Sequence, residues 1–509
     1  MPKRFSFAEV GIDVSPGRTG VAEPPEPEEA FEMALLGDFS GRANRGRVDA
    51  KLSQRRALTV DRDNFDAVLS RLAAELQVTL GEARLAVAFR ELDDFHPDRL
   101  FERLELFQGL RRTRDELLDP ATFQRAASAL RAPEPPPPPP PPVTPQRVAG
   151  LSLDDLLAQA VQETEGRTGE APAPPRVRDE FSQLIHDIVA PHLVPGAPPE
   201  QARLVAELDA AIGGQLRALL HQADFQALEA AWRGLFFLVR RLETGPSLRL
   251  HLLDISKAEL AADLAGGDDV RRSQTWKLLV EQTVGTPGAA LWSLLVGNYV
   301  FEATREDIDL LGRLAVVARQ AGAPLLAGVS PRILGCESLA QTPDPDDWQP
   351  LAPEWSEAWE TLRRSREAAW LALALPRFLL RLPYGRETDP IERFAFEELP
   401  APAVHAAYLW GNPAFACACL LGQAFTEYGW RFRPGQVFEL DGLPAHIYLE
   451  DGEPVLKPCA ETLLTERAAE EILDRGPMPL LSVRSRDAAR ILRFQSVARP
   501  AARLAGRWE

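Results

Sequence analysis

The residues of this sequence with the chemistry to act are few, and they fall in short stretches. Gly37-Asp38-Phe39-Ser40-Gly41 sets a serine in a glycine-bounded turn, a setting that can present a hydroxyl nucleophile. Such a serine needs a histidine base and an acid that orients it. His96 is the only histidine before residue 186, and it stands beside a proline at a helix start. The stretch therefore reads as a strand-end turn. Pro343-Asp344-Pro345-Asp346-Asp347-Trp348 gathers three carboxylates, the donor type that a hard cation takes. Two prolines stiffen it and no glycine permits the sharp turn of a calcium loop, so it reads as a solvated loop. Cys417 and Cys419 form a C-x-C pair in the apolar run FACACLLGQAF, with no second ligand pair nearby. Buried, reduced thiols account for them.

His96-Pro97-Asp98 repeats the tripeptide of J-domain co-chaperones, but there it follows a basic helix. Here Glu91-Leu92-Asp93-Asp94-Phe95 precedes it, and a helix-entry turn is the better reading. There is no Gly-rich phosphate loop ending in Gly-Lys-Ser/Thr, no G-x-G-x-x-G after a strand and no H-E-x-x-H. The seven histidines show no ligand spacing. The sequence thus argues against an enzyme and calls for no cofactor and no metal. A net charge of −17 argues against nucleic acid as a partner. The block 31–131 departs from that excess, with 17 Lys/Arg against 17 Asp/Glu. Neither an apolar leader nor a membrane-length apolar run is present, so the expectation is a cytoplasmic chain with no membrane insertion.

The elements that position these residues read as follows. FEMALLGDFSG (31–41) is a buried strand running into a turn, ALTVDRD is strand-like, and NFDAVLSRLAAEL is a helix with Phe65, Val68, Leu69, Leu72, Ala73 and Leu76 at helical spacing. ARLAVAFREL alternates as a strand, and DDFHPDRLFERLELFQGLRRTRDELL enters a long helix with Pro97 in its first turn. A helical stretch covers about 176–242. From Ser247 apolar runs (SLRLHLLDIS, ALWSLLVGNYVF, APLLAGVSP) alternate with helices such as REDIDLLGRLAVVARQAG. That pattern predicts α/β, a mostly parallel sheet covered on both faces.

Between the two blocks stand eight prolines, Pro135–Pro142. Each locks φ and lacks a donor, so the run is expected to form an extended spacer of about 25 Å. After it, LSLDDLLAQAV places Leu153, Leu156, Leu157, Ala160 and Val161 on one face, with Ser152 and Asp155 as a capping box. A helix that short is marginal alone and must pack on something. The expected organisation is a Pro-rich acidic tail (1–30), a small α/β domain (31–131), a polyproline linker (132–150), the Leu-rich helix with a flexible segment (151–199), a larger α/β domain preceded by helices (200–497) and a tail (498–509).

FEMALLGDFSG, LTVDRDNFDAVLSRLAAEL and LAVAFRELDDFHPDRLFERLELFQGLRRTRDEL, in that order, resemble the small subunit of the type VI secretion contractile sheath. FQALEAAWRGLFFLV (225–239), LLDISKAEL (252–260), LLVGNYVFEATREDIDLL (294–311), LALPRFLLRLPYG (373–385), YLWGNPAFA (408–416), AFTEYGWRF (424–432), GLPAHIY (442–448), LKPCAETLLTER (456–467) and RFQSVARP (493–500) resemble the large subunit. The resemblance implies a fusion of two chains that otherwise assemble one to one. It implies a non-catalytic sheath subunit that surrounds an inner tube and drives its ejection. Its partners would be other sheath protomers, the inner tube protein, baseplate components and an AAA+ recycling ATPase, for which 151–161 would be the recognition helix. The family's large subunit continues past the Gln-Ser-Val motif into a further domain, whereas this sequence stops at Glu509 shortly after Gln495-Ser496-Val497. The expectation is that this domain is missing. The rival reading is an accessory protein that caps, nucleates or chaperones sheath or baseplate assembly.

Overall fold

The structure, a computed structural model, describes residues 25–49, 51–80, 83–130, 199–267, 269–400, 403–450 and 452–508. The polyproline run and the Leu-rich helix with Leu153, Leu156, Leu157, Ala160 and Val161 lie outside the described residues. Among the described residues two compact units emerge, one within 25–107 and 210–508 and one within 108–130 and 199–209.

The strands in chain order are β1 (Phe31–Gly37), β2 (Leu58–Val60), β3 (Ala74–Leu80), β4 (Ala83–Phe89), β5 (Leu248–Asp254), β6 (Leu294–Phe301), β7 (Leu325–Val329), β8 (Leu371–Leu375), β9 (Phe378–Leu379), β10 (Trp410–Gly411), β11 (Glu439–Leu440), β12 (Ile447–Glu450), β13 (Glu453–Leu456), β14 (Met478–Ser482) and β15 (Ala489–Ile491). The helices are α1 (Phe65–Leu72), α2 (Pro97–Arg103), α3 (Glu105–Leu118), α4 (Phe123–Leu130), α5 (Pro199–Leu220), α6 (Ala223–Arg241), α7 (Lys257–Ala265), α8 (Gln274–Trp276), α9 (Arg305–Ala321), α10 (Pro353–Arg364), α11 (Pro413–Tyr428) and α12 (Glu466–Arg475).

Nine strands make one sheet in the order β11-β15-β14-β8-β7-β6-β1-β5-β2. From β5 to β14 every neighbour is parallel, and antiparallel strands close both edges. The α/β expectation holds. Its physical basis is visible in β7 and β8, whose residues are buried on both faces and so read as unbroken apolar runs. α9 covers one face, packing Leu310, Leu311 and Leu314 with Ala34 and Leu36 of β1. α11 covers the other, and there a Cβ at Gly422 would stand 2.9 Å from Met33. Apolar nearly all round, α11 is buried through most of its length, which is where Cys417 and Cys419 lie.

β1 does not remain with the rest of its sequence block. It runs between β5 and β6, pairing Phe31 with Leu248 through Gly37 with Asp254 on one side and Met33 with Leu294 on the other. The small-domain expectation for 31–131 thus meets a chain segment whose first strand is internal to the large sheet.

Two helix expectations change. The helix beginning at Phe65 stops at Leu72, Ala73 turns left-handed (φ 49°), and Ala74–Leu80 becomes β3. Ala74, Leu76, Val78 and Leu80 alternate in burial and pair with β4, so the period of two prevails over helical spacing. The long helix after Pro97 is broken at Leu104, which is extended at φ −76° and ψ 130° between α2 and α3. In the unit of 108–209, Gln201 donates to the Leu117 carbonyl at 2.6 Å and Arg114 holds Asp209 at 2.6 and 3.2 Å.

Candidate functional site: a buried seam

Where β1 leaves the sheet, the Gly-Asp-Phe-Ser-Gly turn closes over the end of β5. The backbone N–H groups of Phe39 and Ser40 donate to Asp254 Oδ1 at 2.9 and 3.1 Å, and Ser40 Oγ donates to Oδ2 at 2.7 Å. Ser40 is buried and, among the described residues, is not bonded to a histidine, so its hydroxyl fastens the turn to that half-buried acid. Burial pushes the Asp254 carboxyl above its ordinary range, against the pull of the Ser40 and Phe39 bonds. Trp232 of α6 donates to the Phe39 carbonyl at 2.8 Å and meets Phe39 and Phe65 edge-on at 5.5 and 5.7 Å. Phe89 and Phe95, stacked at 4.1 Å, both meet Phe225 of the same helix.

Beside the turn lies Glu259, 1 % exposed. It caps α7, taking the Ser256 N–H at 3.0 Å while its own N–H donates to Ser256 Oγ at 3.2 Å. It also receives Arg55 Nη1 at 2.9 Å, Arg55 Nη2, Arg42 Nε at 3.2 Å and the Asp49 N–H at 3.0 Å. Burial alone would raise this carboxyl, but the Arg55 bond and the backbone donors outweigh it and hold it down at about 2. Inside the sheet, Glu32 of β1 takes Arg249 Nη1 at 2.8 Å and lies 2.6 Å from His251 Nε2, both on β5, and its N–H donates to Ser293 Oγ at 3.0 Å.

A second buried network ties α6 to the segment after β9. Glu229 accepts from Arg381 at 2.7 and 3.2 Å and from Arg233 at 2.7 Å. Arg381 donates onward to Glu398 at 2.7 and 3.0 Å, and Arg233 donates to the Tyr384 hydroxyl at 2.9 Å. Despite the opposing effect of burial, the two arginines hold Glu229 below the usual carboxylate range, while burial pushes Tyr384 up to about 12. His96 meets Tyr384 edge-on at 4.8 Å, and its Nδ1 accepts from the Asp98 N–H at 3.2 Å as the cap of α2. The His-Pro-Asp stretch is therefore a helix entry packed on this network.

The remaining stretches are also engaged. Arg467 bridges Asp344 and Asp346, reaching Asp346 at 2.9 Å, so two of the three loop carboxylates share one exposed cation. Burial pushes the Cys417 and Cys419 thiols up to about 12, far from a reactive thiolate. No group of three or more His, Cys, Asp or Glu among the described residues could hold a metal ion. The seam residues Glu32, Glu229, Glu259 and Arg381 were not singled out by the sequence reading. The available signal was a charge inside an apolar run, as in FQALEAAWRGLFFLV and FLLRLPY.

A composite sheet whose buried acids and arginines are engaged with one another is built to hold segments together. The model of the family described as "EvpB/VC_A0108, tail sheath N-terminal domain" matches residues 202–498, and that described as "Type VI secretion system, VipA, VC_A0107 or Hcp2" matches residues 20–131. The chain belongs to the tail sheath family and joins its large- and small-subunit sequences in one polypeptide. It is 38 % identical over 306 residues to the "Type VI secretion system sheath protein TssC1" of Pseudomonas aeruginosa (strain PAO1), covering 58 % of this chain. The match spans 61 % of that relative's length.

Proposed function

We propose that the chain is a structural subunit of the contractile sheath of a type VI secretion machine, assembling with copies of itself around an inner tube on a baseplate in the cytoplasm. It performs no chemical step; its work is a change of interfaces between an extended and a contracted lattice. The observation that carries this reading is β1, which completes the large-subunit-like sheet from the small-subunit-like sequence. Joining the two segments fixes their ratio and raises their effective concentration. Among the described residues no helix is long and apolar enough to cross a membrane. Electron microscopy of the chain produced with the tube and baseplate proteins of its own gene cluster tests the proposal. Hollow helical tubes are expected, and discrete particles under every such condition would overturn it.

The helix carrying Leu153, Leu156, Leu157, Ala160 and Val161 is the proposed grip for an AAA+ recycling ATPase. Burying each leucine contributes about 1.5–3 kcal/mol, so Leu156→Asp with Leu157→Asp should abolish ATPase binding while the melting temperature stays put. A fall of several degrees, or binding that survives, would show that the helix serves the fold instead.

A further inference from the structure

The Gln-Ser-Val stretch borders a concavity of about 460 Å³ that the seam does not use. Arg433, Arg493 and Arg503 line it, together with Leu492 and Gln495, and no carboxylate does. All three arginines are exposed, and none forms an ion pair among the described residues. The nearby acids are already taken, since Arg486 holds Glu439 at 2.9 Å and Asp441 at 2.6 Å. In a chain of net charge −17, a concave group of unpaired cations is a local reversal of sign.

The groove also has an apolar side. Leu492, one of its lining residues, is 43 % exposed. Gln495 is 2 % exposed; its Nε2 donates to Leu473 and Gly476 carbonyls, but its Oε1 accepts from nothing among the described residues. That oxygen is itself sealed from solvent, so what the groove offers an occupant is its arginines and Leu492. The backbone of Arg433 is held in a turn, where its N–H donates to Gln436 Oε1 at 2.7 Å and Gly435 adopts φ +95°.

We propose that this groove docks an extended, carboxylate-rich segment of a partner protein, with its acids on Arg433, Arg493 and Arg503 and an apolar side chain on Leu492. Charge complementarity selects the occupant, and the apolar margin asks for a peptide over a free anion. The test uses the full chain and a fluorescein-labelled Glu-Glu-Phe-Glu-Glu-Leu peptide followed by anisotropy. Saturable binding is expected, weakening about tenfold as salt is raised from about 50 to about 300 mM. Arg433→Glu, Arg493→Glu and Arg503→Glu together should remove binding with an unchanged melting temperature, and the triple Gln variant should weaken it. Equal binding of a Lys-for-Glu peptide, or displacement by inorganic phosphate at matched concentration, would overturn the proposal. So would salt-dependent self-association abolished by the same substitutions, which would make the occupant a second copy of the chain.

Discussion

At Glu259 one carboxylate accepts five hydrogen bonds, three of them from Arg42 and Arg55. Removing its charge leaves two arginines facing a neutral amide in a buried site, so Glu259→Gln should lower stability by about 3–5 kcal/mol, read as a drop in melting temperature. The pH dependence follows from the depressed carboxyl. Because it sits at about 2 in the fold against an ordinary value of 4.5, its contribution is complete above the unfolded value. It is lost as pH falls from about 4.5 through about 2. The wild type should therefore lose on the order of 3 kcal/mol more than Glu259→Gln across that window, and parallel acid-unfolding curves for the two would refute the assignment. Nothing local in the sequence marks Glu259 as special, since LLDISKAEL shows it only as a capping-box acid. Its arginine partners stand 204 and 217 residues away, and no periodicity links them.

Among the elements, β1 was legible in kind and not in place. FEMALLG is apolar except for Glu32, which identifies a buried strand, but the strands on either side begin at Leu248 and Leu294. Parallel neighbours at that separation leave no signal in the intervening chain. The strands β5 to β8 were readable because each is an apolar run between helices, and α1 was overextended because Leu76 fits both a helical and an alternating pattern. The acceptance of β1 into the interior of the sheet has a measurable counterpart in hydrogen exchange. Amides of β1 should exchange with those of β5 and β6 at the rate of global unfolding, within about 1 kcal/mol. Amides of the β12–β13 hairpin, where Ile447 and Leu449 are 63 % and 71 % exposed, should exchange about 100-fold faster or more. Rapid exchange confined to β1 would mean that the strand is a detachable addition.

For the whole molecule, the internal position of β1 makes covalent continuity dispensable once folding is done. A protease site placed at Pro135–Pro142, then cleaved, should yield fragments that co-elute on a sizing column and part only in denaturant. Clean separation under native conditions would contradict the seam described above. Replacing Pro135–Pro142 with Gly and Ser should leave the melting temperature within about 1 °C, since a flexible chain of that length spans a comparable distance. A large loss would show that the prolines dock on a surface.

The same strand imposes a schedule on synthesis. Glu32 of β1 is made 217 residues before Arg249, its partner on β5, and 261 before Ser293. At about 5–20 residues per second, a nascent chain carries FEMALLG unpaired for about 10–40 s. During that interval the segment is an apolar strand with two open edges, the form most prone to pair with its counterpart on the next ribosome of the same message. Asp38 and Arg42 follow it directly and Glu28 and Glu29 precede it, so the exposed run emerges between charges that discourage such pairing.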